Sequence, residues 1–390
     1  MIAGAQFSDW SNWLTIYEDY GIVYNGDSVE NISRRTNQKI TTFLNYMGDG
    51  KITVESPPPY TTKAYSPAGI AANICIFAAG TEVGVACLSK SRVYSMVVSN
   101  GQNIVRDFIP VRFTNELGES EGAMYDKVSK QLFRNQGTGK LIVGADADMP
   151  YDAEVEYLES TRTQYIDTGI DHVSDSGFSV TGCFLISTHA TYPALAGVSF
   201  EDESNWLEVY EDGGVSFVGT MYSGVYILNA KNVVTAYANY LNDGLVYYDN
   251  DPPDNIVDNP VINARYMLFC AGSENGPMGF SNARIYGFKA TIGQEIVRDL
   301  IPVRFTNELG ESEGAMYDKV SKQLFRNQGT GKFIVGTDVD MPYDYVVEYI
   351  ETDGVASYID TGIVTDVSSE VKVCFKVISV PYQSSGNAYA

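Results

Sequence analysis

Short runs of alternating apolar and polar residues, punctuated by glycine, asparagine and aspartate, fill this chain. Phe178, Val180 and Gly182 alternate with polar positions, and Cys183-Phe184-Leu185-Ile186 continues as an apolar run, the pattern of a strand that becomes fully buried. Trp206-Leu207-Glu208-Val209-Tyr210 passes through Glu211-Asp212-Gly213-Gly214 into Val215-Ser216-Phe217-Val218, which predicts strand, tight turn, strand. Residues 232–239 lead through Leu241-Asn242-Asp243-Gly244 into residues 245–249, a second hairpin that turns on Asp-Gly. Further strands are expected over residues 267–271, 283–289 and 295–304. Long helical periodicity is missing. Many short strands joined by such turns predict an all-β chain of antiparallel two-sheet sandwiches, of jelly-roll type.

The pattern occurs twice. Residues 106–140 and 298–332 are identical except that Phe108 in the first block is Leu300 in the second. Farther out, SNWLTIYED, from Ser11 to Asp19, aligns with SNWLEVYED, from Ser204 to Asp212, and the period is about 193 residues. That is too long for a solenoid and right for one sandwich domain, so a tandem array is expected. The stretch 156–170 returns as 348–363, which makes the central copy the complete one. The expected domains are a jelly roll over 1–150 lacking its first strands, a complete one over 153–343, and the first strands of a further repeat over 346–390. Three origins fit this phase: a tandem gene read in part, a circular permutation in which 346–390 completes 1–150, and completion between chains. The last is a heterologous contact that builds open fibres, and it is the route to self-association through the split repeat. The fold-back is the expected conformation of the single chain, because unpaired sheet edges are costly and the missing strands are tethered.

At 390 residues with 44% hydrophobic positions, the chain is long enough for two real cores and is not of disordered composition. A net charge of −23 excludes nucleic acid as a partner, since phosphate binding needs clustered Lys and Arg. That acidity serves solubility, and it leaves calcium open as the one plausible ion. Cys75, Cys87, Cys183, Cys270 and Cys374 do not form matching pairs in the two copies, so no shared disulfide framework is expected. No apolar run is long enough to span a membrane, and no membrane insertion is expected.

The segments EYLES and YIDTGI, the hairpin turning on LNDG, then ARIYGFKA and VRDLIPVRF…GAMYDKVSKQLFRNQGTGKFIVG together resemble the laminin-G-like, concanavalin A-like lectin/glucanase domains. The similarity is to the version common in gut-bacterial surface proteins and in tail or head fibres of phages. It spans the central copy, and its specific part is MYDKVS…LF-NQGTG. The resemblance implies a jelly roll, often carbohydrate-binding, in an extracellular, cell-surface or virion protein. The superfamily holds lectins, hydrolases and spacers, so activity has to be argued from the site.

Glycosidases need two carboxylates flanking the scissile bond, and no strand here carries closely alternating acids. Glu201-Asp202-Glu203 and Glu211-Asp212 read as solvated turns. With only His172 and His189, neither near a Cys, zinc and Ser-His-Asp chemistry are unsupported, and no catalytic residue is assigned. Gly137-Thr138-Gly139-Lys140 and Gly329-Thr330-Gly331-Lys332 lack the spacing of a phosphate loop and read as turns. Candidate calcium ligands are Asp171, Asp175 and the loop from Asp249 to Asp254; no other cofactor is expected. Sugar recognition needs flat aromatic faces beside carboxylates and amides. Trp206, Glu208 and Tyr210 alternate on one strand, with Trp13 and Tyr17 at the matching places of the first copy, and Tyr247 and Tyr248 form a second aromatic candidate. The expected function is a non-catalytic carbohydrate-binding or adhesion module for cell-surface or dietary glycans. A ligand-free spacer is the alternative, and a glycoside hydrolase the third reading.

Overall fold

A computed structural model describes residues 2–6, 13–17, 21–24, 27–29, 39–44, 52–55, 60–61, 71–101, 103–186, 193–199, 206–210, 214–217, 220–222, 234–240, 242–248, 252–255, 261–365 and 368–378. Two compact units are present, one made of Met1–Asp148 with Met341–Ala390, the other of Met149–Asp340. Both are all-β, and among the described residues there is no helix and hence no apolar helix long enough to cross a membrane. The all-β expectation is borne out. Among the described residues each unit holds one eight-stranded and one eleven-stranded sheet, a sandwich-like pairing.

In the second unit the eleven-stranded sheet is built around Ser176–Phe184, which lies between Val234–Ala238 and Asn282–Ile292. Period-two alternation, reset by a register shift between Ile285 and Gly287, explains the choice of face: Ala283, Ile285, Phe288 and Ala290 point into the core, as do Phe178, Val180 and Ala236. The hairpin from Val234–Ala238 to Leu245–Tyr248 closes through Asn239, whose amide donates to the Leu245 carbonyl at 2.9 Å and whose Oδ1 accepts from the Gly244 amide at 3.1 Å. The facing eight-stranded sheet runs Ile166–Asp171, Arg265–Leu268, Ala194–Ser199, Trp206–Tyr210, Gly214–Phe217, Thr220–Tyr222. It contributes Ile166, Val198, Leu207, Val209, Val215 and Leu268 to the same core.

The first unit repeats this plan with its strands drawn from both ends of the chain. Ser369–Val377 pairs with Ser91–Asn100 on one side and Lys39–Leu44 on the other, and Ile359–Val364 pairs with Asn73–Ile76. Matching contacts recur down to single side chains. Arg92 Nε meets Glu351 at 2.6 Å as Arg284 Nε meets Glu159 at 2.7 Å. Tyr125 packs edge-on against Tyr343 at 4.9 Å between ring centres, as Tyr317 does against Tyr151 at 4.9 Å.

One corner positions everything that follows. Arg265–Leu268 runs antiparallel to Ala194–Ser199, whereas Ala271–Ser273, only two residues later, runs parallel to that same strand. The reversal passes through Phe269 at φ 66, and Phe77 at φ 69 does the same in the first unit. A bulky residue in the left-handed region carries about 1–3 kcal/mol of strain. Complete burial of both rings offsets it, and so does the seating of both amides: Phe77 donates to the Ile2 carbonyl at 2.6 Å and Phe269 to that of Leu195 at 2.7 Å. The corner folds Gly80 onto the Asn73 backbone and Gly272 onto that of Arg265. A Cβ at these glycines would lie 1.8 Å from the Asn73 carbonyl oxygen and 2.0 Å from that of Arg265, so only glycine fits.

Candidate functional site

Polar residues gather on the face of each eight-stranded sheet that turns away from the core. In the second unit Ile166, Leu268, Leu207 and Val209 face inward, and the alternating partners Asp167, Met267, Arg265 and Glu208 face the other way. Arg265 pairs with two carboxylates: its Nη1 lies 3.4 Å from Asp167 Oδ2 and its Nε 3.2 Å from Asp171 Oδ1. Met267 is buried beside Cys270, with the two sulfurs 4.0 Å apart. Burial first, then the charges of Asp167 and Glu208, push the Cys270 thiol well above its ordinary range, so it is an inert neutral group.

At the same place in the first unit there is a cleft of about 260 Å³, lined by Ala71, Ala72, Asn73, Cys75, Gly80, Thr81, Gly84, Val85, Tyr358 and Asp360. Register makes the correspondence firm. Asp360 lies opposite Cys75 and Val364 opposite Asn73, as Asp167 lies opposite Met267 and Asp171 opposite Arg265. A buried Met267 and a half-exposed Arg265 stand in the second unit where the first has the shorter Cys75 and Asn73 beside its cleft.

A carboxamide–carboxylate pair sits in this cleft, with Asn73 Nδ2 donating to Asp360 Oδ2 at 2.9 Å. Asp360 Oδ1 accepts from the Gly362 amide at 2.8 Å, which fixes the carboxylate plane. Tyr358 forms part of the wall, and the repeated block holds its backbone. Its amide donates to Asn135 Oδ1 at 3.0 Å, and its carbonyl accepts from the Gln136 amide at 2.9 Å. The Gly-Thr-Gly-Lys turn is thus occupied in bracing this wall: Asn135 Nδ2 donates to the Gly139 carbonyl at 2.6 Å, and the Gly139 amide donates to Ala356 at 3.1 Å. Burial, and then the Asp360 charge, raise the Cys75 thiol to about 12, so it serves as a small wall group and not as a nucleophile.

The residues singled out in the sequence fall in three places. Trp206, Glu208 and Tyr210 are alternate positions of Trp206–Tyr210, where Glu208 lies opposite Gly197 on one neighbour and Ser216 on the other. Glu208 is only 5% exposed, and Ser216 Oγ is buried without a hydrogen-bond partner. A Cβ on Gly197 would stand 2.5 Å from that of Glu208, so this glycine makes room for the acid. Trp13 and Tyr17 occupy the matching strand Trp13–Tyr17, where Thr15 and Val23 replace Glu208 and Ser216 in register. The side chains of Trp13, Tyr17, Trp206, Tyr210 and Tyr248 lie outside the described residues. Tyr247 and Tyr248 belong to Leu245–Tyr248 in the eleven-stranded sheet, so the two aromatic candidates are in different sheets and do not converge.

Of the calcium candidates, Asp171 is engaged by Arg265, Asp254 sits on an exposed two-residue strand, and residues 249–251 lie outside the described ones. Among the described residues no three His, Cys, Asp or Glu side chains are arranged to hold a metal ion. The acidic turns at 201–203 and 211–212, and His189, also lie outside the described residues apart from their flanks.

The chain matches no family model, no curated protein and no solved structure. Asn73, Asp360 and Tyr358 were not singled out by sequence reasoning, although a signal existed. At aligned positions one copy has Arg265 and Met267 where the other has Asn73 and Cys75, and a large-to-small pair at one place is the trace of a cavity.

Proposed function

We propose that the protein is a non-catalytic carbohydrate-binding module of a surface-exposed appendage, with jelly-roll units in tandem, and that the cleft of the first unit is its sugar site. What carries the reading is the Asn73–Asp360 pair fixed beside Tyr358 in a cleft of about 260 Å³. Sugar hydroxyls are both donors and acceptors. A carboxylate oxygen and an amide that already share one hydrogen bond present the remaining lone pair and N–H in a set geometry. The volume falls just under the roughly 300 Å³ at which small-molecule sites begin, which suits one sugar residue at the end or side of a longer chain. Binding at such a site is weak, and display in several copies strengthens it through effective concentration. The second unit, with Arg265 and Met267 in the same place, acts as the ligand-free spacer. A cell-surface or dietary glycan, met outside the cell or on a virion, is the partner this reading implies.

A glycan array probed with the multimerised full chain tests the proposal. Bound glycans are expected, and Asn73→Arg with Cys75→Met, which rebuilds the second unit's filling in the first, is expected to abolish the signal. No bound glycan at high valency, or binding untouched by the double variant, removes the cleft from consideration as a sugar site.

A further inference from the structure

The cleft in the first unit has the shape of a deletion. In the second unit the carboxylate of Asp167 is met by Arg265 at 3.4 Å. The equivalent carboxylate, Asp360, is retained, while the residue at the guanidinium's place is Asn73. Asp360 accepts only neutral donors, from Asn73 at 2.9 Å and Gly362 at 2.8 Å, and among the described residues no cation lies within ion-pair distance of it. Resting on the glycan reading above, we infer that this cleft selects an amino sugar, a hexosamine whose free ammonium group takes the place that Arg265 fills in the other unit.

The chemistry follows from what the cleft keeps and what it lacks. Each Asp360 oxygen has a free lone pair, and a charge-assisted bond to an ammonium is about twice as strong as one to a hydroxyl. Tyr358 apart, the described residues that line the cleft are otherwise small and uncharged, and Asp360 is the one acid among them. The net charge of −23 raises the local concentration of cations and disfavours acidic sugars. Arginine or lysine on a protein surface carries the same charge. The cleft favours the sugar because its volume of about 260 Å³ accepts a ring beside Tyr358, where a single extended side chain leaves space unfilled.

Ligand-observed NMR titration of the full chain tests this with glucosamine, N-acetylglucosamine and Nα-acetyl-arginine amide as probes. Glucosamine is expected to bind at least about tenfold more tightly than N-acetylglucosamine, and less tightly as salt rises. Asp360→Asn, which keeps the acceptor for the Gly362 amide, is expected to remove that preference. Asn73→Arg with Cys75→Met is expected to remove all binding, and thermal melting of each variant checks that it is folded. Equal binding of both sugars that is lost in the double variant overturns the cation selectivity and leaves the glycan reading standing. Binding of the arginine probe without glucosamine overturns the sugar assignment and the glycan reading together. A preference unchanged in Asp360→Asn overturns the role of that carboxylate.

Discussion

Removing residues 341–390 should unfold the first unit and spare the second. Of the nineteen described side chains in the first unit's main core, seven come from this segment: Val347, Ile350, Ile359, Val371, Val373, Phe375 and Val377. Fully burying a side chain of this size is worth about 1.5–3 kcal/mol, so the segment contributes on the order of 10–20 kcal/mol. A whole domain is stable by only about 5–15 kcal/mol, so the remainder has no stable fold. Backbone pairing points the same way. Ser369–Val377 is an interior strand, and without it Ser91–Asn100 and Lys39–Leu44 become facing open edges. Arg92 would also lose Glu351, and Ser99 its hydrogen bond to Glu370 at 2.8 Å.

Hydrogen exchange read by mass spectrometry on the chain ending at Asp340 is the direct assay. Amides of Ser91–Asn100 and Asn103–Thr114 should lose protection, while those of Ser176–Phe184 and Asn282–Ile292 keep it. Adding residues 341–390 as a separate peptide should restore protection in proportion to its concentration, as mass action requires. The same contacts made between chains would give concentration-dependent oligomers. Retained protection across Ser91–Asn100 in the shortened chain refutes the reasoning.

Two further outcomes follow from single side chains. His172 is buried, its Nδ1 accepts from the Ile262 amide at 3.1 Å, and burial lowers its pKa to about 4, so its neutral form stabilises the folded state above about pH 6.5. As pH falls from 7 to 5 the second unit should lose about 2 kcal/mol more than a His172→Thr variant, which carries the residue found at the matching Thr365; equal losses by denaturant titration would count against this. Asn135→Ala removes the acceptor for the Gly137 and Tyr358 amides, both at 3.0 Å, and should cost about 2 kcal/mol while loosening the cleft wall. Melting and sugar titration on that variant check it: a stability loss with unchanged affinity would show that Tyr358 does not shape the site.

Much of the strand content is legible in the sequence because it rests on local rules. Phe178 and Val180 announce a strand by period two, and Asn242-Asp243-Gly244 announces a turn by its tolerance of positive φ. The corner at Phe269 escapes such reading, since nothing local favours a left-handed phenylalanine; the burial of its ring and the seating of its amide on Leu195 impose it. Strand partnership is equally non-local. Tyr247 and Trp206 both sit in short runs rich in aromatic and branched residues, and nothing in their spacing tells that they stand in different sheets. The cleft is hardest to see of all, because a cavity is defined by side chains that are short, and shortness at Cys75 or Asn73 has meaning only beside Met267 and Arg265.

The near-identical block supports the same side of the site in both units. Asn135 and Asn327 lie in the same loop of the two copies and hold Tyr358 and Tyr165 alike, with amide to Oδ1 distances of 3.0 and 3.2 Å. The tyrosine side of the wall is therefore held alike in both units, while the residues at the Arg265 and Met267 places differ. Those differences are coupled: where Arg265 becomes Asn73, Asp171 becomes Val364, so one cation and one anion disappear together. The local charge balance is the same in both units, and mutual repulsion of two unpaired carboxylates is avoided. What changes is the position of the surplus charge. In the second unit it is spread over an exposed ion-pair cluster in which the Asp171 side chain is 75% exposed. In the first it rests on Asp360 alone, inside the cleft, where lower solvent screening makes a cationic ligand worth more than it would be at the open surface.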